Sequence, residues 1–273
     1  MAAATTSAAA GTRLSLRLPT TAGARGAAGL LGLVLLIEGL PRLGVVDAAY
    51  FPPFTEMLSA LREEAATSSF WSSLGDTVRG WALGLAIAVI AGCAVGMVIG
   101  MSSFLRAATA TTIEFLRPIP SVALIPVVVL LYGTSMVSTL LLVVYASFWQ
   151  IVVQVMYGVQ DIDPVAAETA RSYRFSRIGR TRHVVWPTTL PYAITGFRLA
   201  AAVALILEVT GELVIGSPGL GNDIALAQSA GAVDTMYALV LVTGLLGVTV
   251  NLLARAVEHR ALHWHPSVRG VTA

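Results

Sequence analysis

The sequence contains no lysine, since all 17 of its basic residues are arginine. The phosphate-binding loop of nucleotide hydrolases needs a lysine that reaches the phosphates, so this chain cannot contain such a loop. Cysteine is almost absent as well, because Cys93 is the only one. A single thiol excludes an intrachain disulfide and a thiolate metal cluster. We interpret Cys93, which lies inside an apolar run, as a small packing residue.

Charge is also scarce: 12% of the residues are charged, 56% are hydrophobic and the mean hydropathy is +0.79. These values are far from those of a soluble domain and indicate an all-α integral membrane protein. A helix of roughly 20 apolar residues crosses the hydrocarbon core of a bilayer. This rule predicts about six transmembrane helices. They lie at residues 26–46, between 79 and 106, twice between 117 and 161 with a turn at 133–135, at 188–215, and between 234 and 255.

Residues 1–25 are rich in Ala, Thr and Ser and carry three arginines but no acidic residue. We interpret them as a disordered basic tail, with a secretory signal peptide as the alternative. The apolar stretch that follows is interrupted only by Glu38, Pro41 and Arg42. Its length favours an uncleaved first span.

The arginines are distributed unevenly among the segments that connect the predicted spans. Because basic residues are retained on the cytoplasmic side during insertion, the arginine-rich set of alternate segments marks the cytoplasm. This set holds Arg13, Arg17, Arg25, Arg106, Arg117, Arg171, Arg174, Arg177, Arg180, Arg182, Arg255, Arg260 and Arg269. The other set holds only Arg42 and Arg62, together with several acidic residues. Both termini and the loop at residues 159–187 are therefore predicted to be cytoplasmic.

Three glycines recur at every fourth position within the second predicted span, namely Gly92, Gly96 and Gly100. Small residues with this spacing lie on one face of a helix and let a neighbouring helix approach closely. The alternative interpretation is the general tolerance of membrane helices for glycine.

The arginine-rich loop between the fourth and fifth spans contains the pair Asp163-Pro164. Asp is a preferred N-cap residue and Pro a preferred first helical residue. The pair therefore predicts a short amphipathic helix, after which the chain continues to Pro187, where the fifth span is expected to open.

This loop resembles the EAA loop of binding-protein-dependent ABC importer permeases, whose pattern is Glu-Ala-Ala, three residues, Gly, nine residues, a branched apolar residue, one residue, Leu, Pro. The matching positions are Glu168, Ala170, Val184 and Pro187, and the substituted ones are Thr169 and Trp186. Arg174 stands where the family has glycine. If that glycine serves a turn with positive φ, arginine is costly there, and the local turn is expected to differ.

The resemblance covers roughly residues 68 to 265 and is greatest to the sulfonate, taurine and nitrate subgroup. The other segments that carry it are residues 115–120, 123–126, 190–191, 196–200 and 219–221. It implies a MetI-like permease bundle at residues 68–256. The preceding parts are then the tail at 1–25 and the first span with an external loop at 26–67, and a cytoplasmic C-terminal tail follows at 257–273.

The resemblance also implies a function, namely that of the permease subunit of an ABC importer. The implied solute is a small anion such as a sulfonate, taurine or nitrate. The implied location is the bacterial plasma membrane, and the implied partners are a second permease copy, two copies of an ATPase subunit, a periplasmic or lipid-anchored binding protein, and membrane lipid. ATP is then used by the ATPase, and this chain binds no cofactor or metal. The contact with the ATPase is expected at Asp163, Pro164, Glu168, Thr169, Ala170, Arg171, Arg174 and Pro187.

Ionisable residues inside a span are costly in hydrocarbon and commonly face the bundle interior or a water-filled path. The fifth predicted span contains Arg198, Glu208 and Glu212. We expect the two acidic residues to serve the translocation path or the structure of the interior, whereas Arg198 could instead reach lipid head groups. Trp149 and Gln150 in the fourth span are weaker path candidates, with ordinary hydrogen bonding between helices as the alternative.

A secondary transporter or channel and an integral-membrane enzyme are the competing functions. A secondary transporter usually shows internal repeats, and we find no convincing repeat in this sequence. An enzyme needs a nucleophile with its base, or a metal set, and the spans offer neither. The glycine-rich segment at residues 216–221 is predicted to be a turn, and the histidines at 259, 263 and 265 lack the spacing of a metal site.

Overall fold

The structure is a computed structural model that describes residues 20–263, with side chains from residue 23 onward. Within these residues every regular element is helical, which confirms the all-α prediction. The helices are α1 (Thr20–Arg42), α2 (Phe54–Ala65), α3 (Ser68–Gly100), α4 (Ser103–Leu116), α5 (Ile125–Tyr132), α6 (Met136–Gln160), α7 (Pro164–Ser172), α8 (Arg177–Arg180), α9 (Trp186–Ile215), α10 (Leu220–Ser229) and α11 (Val233–Ala261). A 3₁₀ turn at Ser121–Leu124 precedes α5, and a π-helical turn at Thr181–Val185 precedes α9.

Five of these helices are long and apolar enough to cross a membrane, and a bent pair of helices raises the number to six if it counts as one span. The prediction of about six spans is therefore confirmed, but the third span is not the single helix expected after Arg117. If the bent pair counts as one span, that span consists of α4 and residues 121–132, which meet at an angle of 81°. Pro118 and Pro120 lie at the break, where proline removes backbone donors and disfavours helical geometry in the preceding residue.

Several helix ends differ from the predicted boundaries. Helix α3 begins 11 residues before Arg79, where the Thr67 side chain caps it by accepting a hydrogen bond from Phe70 N at 3.2 Å. Helix α1 already starts at Thr20, so residues 20–25 are helical rather than disordered. Helix α11 continues to Ala261, so the first residues of the predicted C-terminal tail, 257–261, are helical as well. Residues 1–19 and 264–273, which include Arg13, Arg17 and His265, lie outside the described residues.

The chain separates into two compact units, at residues 1–55 and 56–273. In the first unit, the polar residues that interrupt the first predicted span form one cluster. Glu38 pairs with Arg42 at 2.7 Å and accepts hydrogen bonds from Thr55 N at 2.9 Å and Thr55 Oγ1 at 3.1 Å. The last turn of α1 is thereby tied to Thr55, the second residue of α2.

The core of the second unit is the packing of α3, α6 and α9. The side of α3 that faces its neighbours consists of small residues at every fourth position: Gly80, Gly84, Ala88, Gly92, Gly96 and Gly100. A Cβ atom at Gly92 would lie 2.9 Å from Cβ of Ile151 on α6. A Cβ atom at Gly96 would lie 2.9 Å from the carbonyl oxygen of Val152. This row of small residues includes the three glycines predicted from the sequence and continues from them towards the N-terminal end of α3.

Substitution of Gly96 by valine should separate α3 from α6. The added side chain meets a backbone carbonyl, which cannot rotate away, and overpacking of this kind costs about 1–3 kcal/mol. Gly75→Val is the matched control, because Gly75 lies on the same helix with no atom within 4 Å of its Cβ position. Thermal unfolding in detergent should show a lower midpoint for Gly96→Val than for Gly75→Val. Equal midpoints would show that the close approach contributes nothing to stability.

Candidate functional site

The short helix predicted after Asp163 is present as α7. The Asp163 carboxylate accepts a hydrogen bond from Val165 N at 2.9 Å, and Pro164 occupies the first helical position, where no intrahelical donor is needed. Just before the helix, Tyr192 on α9 donates a hydrogen bond to Asp161 Oδ2 at 2.7 Å. The start of α7 is therefore fixed both locally and to the membrane helices.

The end of α7 is a left-handed turn in which arginine replaces the usual glycine. Arg174 has φ 55°, the only positive φ among the described non-glycine residues. Arg174 N donates to Arg171 O at 2.9 Å, and Phe175 N donates to Ala170 O at 3.0 Å. These two bonds define a Schellman cap with Arg174 at the left-handed position. Arg174 thus adopts the positive φ considered for the glycine of the family, held there by the two hydrogen bonds of the cap. Whether the turn differs from that of the family stays a prediction.

The two sides of α7 differ in exposure. Ala170 is buried and Ala167 half-buried, whereas Glu168, Thr169 and Arg171 are exposed. Large apolar side chains are also exposed around this helix: Val165 is 70% exposed, Tyr173 76%, Phe175 46% and Ile178 80%. We call Val165, Glu168, Tyr173, Phe175 and Ile178 the loop surface. Exposed aromatic and aliphatic side chains outside the membrane helices are typical of a protein-binding surface.

The connection from this loop into α9 is a π-helical turn at Thr181–Val185. Pro187 follows as the second residue of α9, close to where the sequence predicted the fifth span to open. Trp186 N donates to Thr181 O, a bond five residues back along the chain. Proline has no N–H to continue the regular ladder, so a local π-turn accompanies it here.

A second polar site lies at the opposite end of α9, around Glu212. This side chain is fully buried, and its Oε2 accepts a hydrogen bond from Gly221 N at 2.9 Å and lies 3.0 Å from Thr77 Oγ1. Thr77 Oγ1 in turn accepts a hydrogen bond from Leu220 N at 2.9 Å. A Cβ atom at Gly219, where φ is 151°, would overlap the Glu212 carboxylate. Glu212 therefore joins α3, α9 and the start of α10.

Glu208 lies one turn before Glu212 and is 2% exposed. Its Oε2 has no hydrogen-bond partner among the described residues, and the carboxylate occupies the space that a side chain at Gly80 would fill. Both carboxylates thus lie inside the contact between α3 and α9 of one chain. This position supports the structural role considered from the sequence, and a role in the translocation path stays a prediction.

The other path candidates are dispersed. Arg198 pairs with Glu258 Oε2 on α11 at 3.4 Å, so it has a protein partner as well as access to the surface. Trp149 is stacked edge-on against Phe148, with ring centroids 5.1 Å apart, and its buried Nε1 has no partner among the described residues. Gln150 is half-buried, and its backbone carbonyl oxygen lies beside Gly196 of α9. The structure does not bring these three residues together with Glu208.

Comparison with known proteins assigns the chain to a family. The model of the family described as "Binding-protein-dependent transport system inner membrane component" matches residues 84–263. The chain belongs to this family. It is 29% identical to the taurine transport system permease protein TauC of Escherichia coli, over 94% of this chain and 96% of that one. It is 27% identical to the nitrate import permease protein NrtB of Leptolyngbya laminosa, over 71% of this chain and 69% of that one.

Solved structures show the same fold at lower sequence identity. An inward-facing MetNI methionine ABC transporter matches with a TM-score of 0.61 and 14% identity, over 71% of this chain and 96% of that one. A bacterial ABC transporter involved in import of alginate matches with a TM-score of 0.60 and 14% identity, over 87% of this chain and 96% of that one. The chain is therefore a membrane-spanning permease of an ABC importer and not an enzyme. The boundaries at residues 68 and 256 stay a prediction.

The left-handed turn at Arg174 should tolerate glycine but not valine. A left-handed conformation costs roughly 1–2 kcal/mol for residues other than glycine and is least compatible with a β-branched side chain. Arg174→Val should therefore speed amide hydrogen exchange at the end of α7, whereas Arg174→Gly should not. Arg177→Val, at a helical position nearby, is the control. Equal exchange in Arg174→Val and Arg177→Val would contradict a constrained turn.

The Glu212 contacts should stabilise the bundle. Glu212→Ala leaves the buried Gly221 amide without its acceptor, which costs about 1–3 kcal/mol, whereas Glu212→Gln retains an acceptor oxygen. Glu258→Ala is the comparison, because it removes a partly exposed ion pair and so costs at most about 1 kcal/mol. The unfolding midpoint should fall most for Glu212→Ala. If Glu212→Ala and Glu258→Ala were equally stable, the buried contacts would have no special importance.

Proposed function

We propose that this chain, paired with a second copy, forms the path by which a small anion enters a bacterial cell, and that a separate ATPase drives the cycle by binding α7. Two of its relatives are named for the transport of taurine and of nitrate, both small and carrying an anionic group or charge. Their names support an anion as the solute. A binding protein outside the membrane delivers it.

The observation that carries the coupling proposal is the loop surface. The chain has no lysine and hence no phosphate-binding loop. Transport against a gradient needs free energy from another molecule, and that energy must reach this chain through a physical contact. Val165 on α7, Tyr173 just after α7 and Ile178 on α8 are each at least 70% exposed, and hydrogen bonds fix both ends of α7. Such a fixed apolar surface suits a binding partner, since aromatic anchors often dominate interface energies.

The charge distribution supports an orientation with the loop surface in the cytoplasm. Helices α3 and α6 end, and α9 begins, at the end of the bundle where α7 lies. Five arginines are concentrated there between residues 171 and 182, and both Asp223 and Asp234 lie in the connection at the other end of α9. Basic residues are retained inside during insertion. Both termini would then be cytoplasmic, in the bacterial plasma membrane.

The second copy of the permease is supported by the position of α4. None of its residues is buried within the described chain, and the large apolar side chains of Phe104 and Phe115 are both more than 70% exposed. A helix of this kind needs lipid or another protein against its apolar surface. Lipid around the bundle and a second copy along α4 together would cover it.

Reversal of charge at Glu168 should weaken binding of the ATPase. Truncation of an interface anchor often costs more than about 1 kcal/mol, so Glu168→Arg should reduce affinity for the ATPase by about fivefold or more. The purified importer should therefore retain less ATPase, and solute-stimulated ATP hydrolysis and uptake should both fall. The bundle should stay folded, because Glu168 is exposed.

Glu63→Arg is the matched control, since Glu63 is also an exposed glutamate on a short helix but lies outside the loop surface. It should leave ATPase retention unchanged. If Glu168→Arg matched the parent in ATPase retention, ATP hydrolysis and uptake, Glu168 would not belong to the contact. If the double variant at Glu168 and Arg171 also matched the parent, α7 would not be the contact with the ATPase.

A further inference from the structure

A cavity of about 440 Å³ lies between α7 and the ends of the membrane helices. Gly100 and Met101 line it from the end of α3, and Val159 and Gln160 from the end of α6. Ala167 and Ala170 line it from the side of α7 opposite to the exposed Glu168. The cavity is therefore separate from the loop surface, although both involve the same helix.

Three arginines from three different segments line this cavity: Arg106 of α4, Arg171 of α7 and Arg180 of α8. No acidic residue is among the lining residues, and none of the three arginines forms an ion pair with a carboxylate within residues 20–263. Arg106 is held in place by donating a hydrogen bond to Gly100 O at the end of α3. Arg106 and Arg180 are half-buried. Arg171 is exposed, so the cavity has three positive charges around it, two of them partly desolvated. Such charges repel one another unless an anion lies between them.

We propose that this cavity binds a phosphate-like oxyanion, carried either by the head group of an acidic phospholipid or by a free cytoplasmic anion. The planar guanidinium group presents paired N–H donors that match the oxygens of phosphate or sulfonate groups. The volume equals that of roughly fifteen waters in the liquid, so the cavity has room for a hydrated oxyanion or for a head group. Basic cavities between membrane helices on the cytoplasmic side are typical sites for such head groups.

Binding would connect α7 to the rest of the protein. Arg171 belongs to α7, whereas Arg106 and Arg180 belong to segments on either side of it in the chain. An anion that contacts all three joins α7 to α4 and α8, and so favours the arrangement in which the three segments are close. The site would thereby regulate how firmly α7 is held while it transmits force. This regulation depends on the proposed coupling role of α7, whereas anion binding itself does not.

The neighbouring groove provides an internal comparison. It is lined by Met97, Arg177, Ile178, Thr181, Arg182 and Trp186. Its two arginines come from adjacent turns of one segment rather than from three segments. Arg182 is exposed and lies only two residues from Arg180, so it is a suitable control for loss of one positive charge.

The test uses the purified complete importer in lipid nanodiscs. One arm compares nanodiscs of phosphatidylcholine alone with nanodiscs that also contain phosphatidylglycerol. The other arm titrates sodium phosphate into phosphatidylcholine nanodiscs, with sodium chloride keeping the ionic strength constant. The readout in both is amide hydrogen exchange in residues 164–180, with exchange in α11 as the reference. Each arm is repeated with Arg180→Gln, Arg180→Lys and Arg182→Gln.

If exchange slows in the phosphatidylglycerol arm but not in the phosphate arm, the ligand is a lipid head group. If exchange slows in the phosphate arm, the ligand is a free anion. In either case Arg180→Gln should weaken the response by about tenfold in apparent affinity, the effect of losing one charge-assisted contact. Arg180→Lys should retain part of the response and Arg182→Gln nearly all of it. The proposal is overturned if the parent importer responds to neither probe, or if Arg182→Gln weakens the response as much as Arg180→Gln.

Discussion

The close approach of α3 to α6 and α9 is the constraint on which the rest of the structure depends. In hydrocarbon there is little hydrophobic gain from bringing two apolar helices together, so association depends on close packing of the backbones. The small residues at every fourth position of α3, from Gly80 to Gly100, make this possible. At one end of the stripe, Gly100 contacts Val159 beside the α7 cavity; at the other, the absence of a side chain at Gly80 leaves room for Glu208. The packing surface of α3 thus lies beside both sites, the α7 loop at one end and the buried carboxylates of α9 at the other.

The two polar sites have different physical tasks. At Glu212, a carboxylate inside the bundle satisfies the amide of Gly221, while Thr77 satisfies that of Leu220. Unpaired backbone donors are costly at membrane depth, so these contacts permit a non-helical segment between α9 and α10. At α7, by contrast, hydrogen bonds within the loop fix a short helix and leave its apolar side chains exposed. One site holds the chain together, and the other leaves exposed the surface at which we propose that the ATPase binds.

The sequence was sufficient to predict the elements whose causes are local. Asp163 and Pro164 predicted the start of α7, and the apolar stretches predicted the positions of the long membrane helices, although α3 begins 11 residues before Arg79. Contacts between distant positions could not be predicted from the sequence. Thr77 and Glu212 are separated by 135 positions, and a threonine in an apolar helix gives no local signal of its partner. The break before residues 121–132 was also not predicted, although Pro118 and Pro120 lie at it in the sequence. The φ of Arg174 could not be predicted because the cap depends on cooperating backbone bonds rather than on the side chain.

Cross-linking from α7 to the ATPase is the most direct test of the central claim, that α7 is the contact through which ATP hydrolysis drives this permease. Cys93 is half-buried and can be replaced by alanine, so that Val165→Cys provides the only thiol in the described part of the chain. In the assembled importer, a thiol-reactive bifunctional reagent should join position 165 to the ATPase subunit. A cysteine at the exposed position 63 should give no such product. If position 63 were joined to the ATPase and position 165 were not, both the coupling role of α7 and the orientation of the bundle would be contradicted.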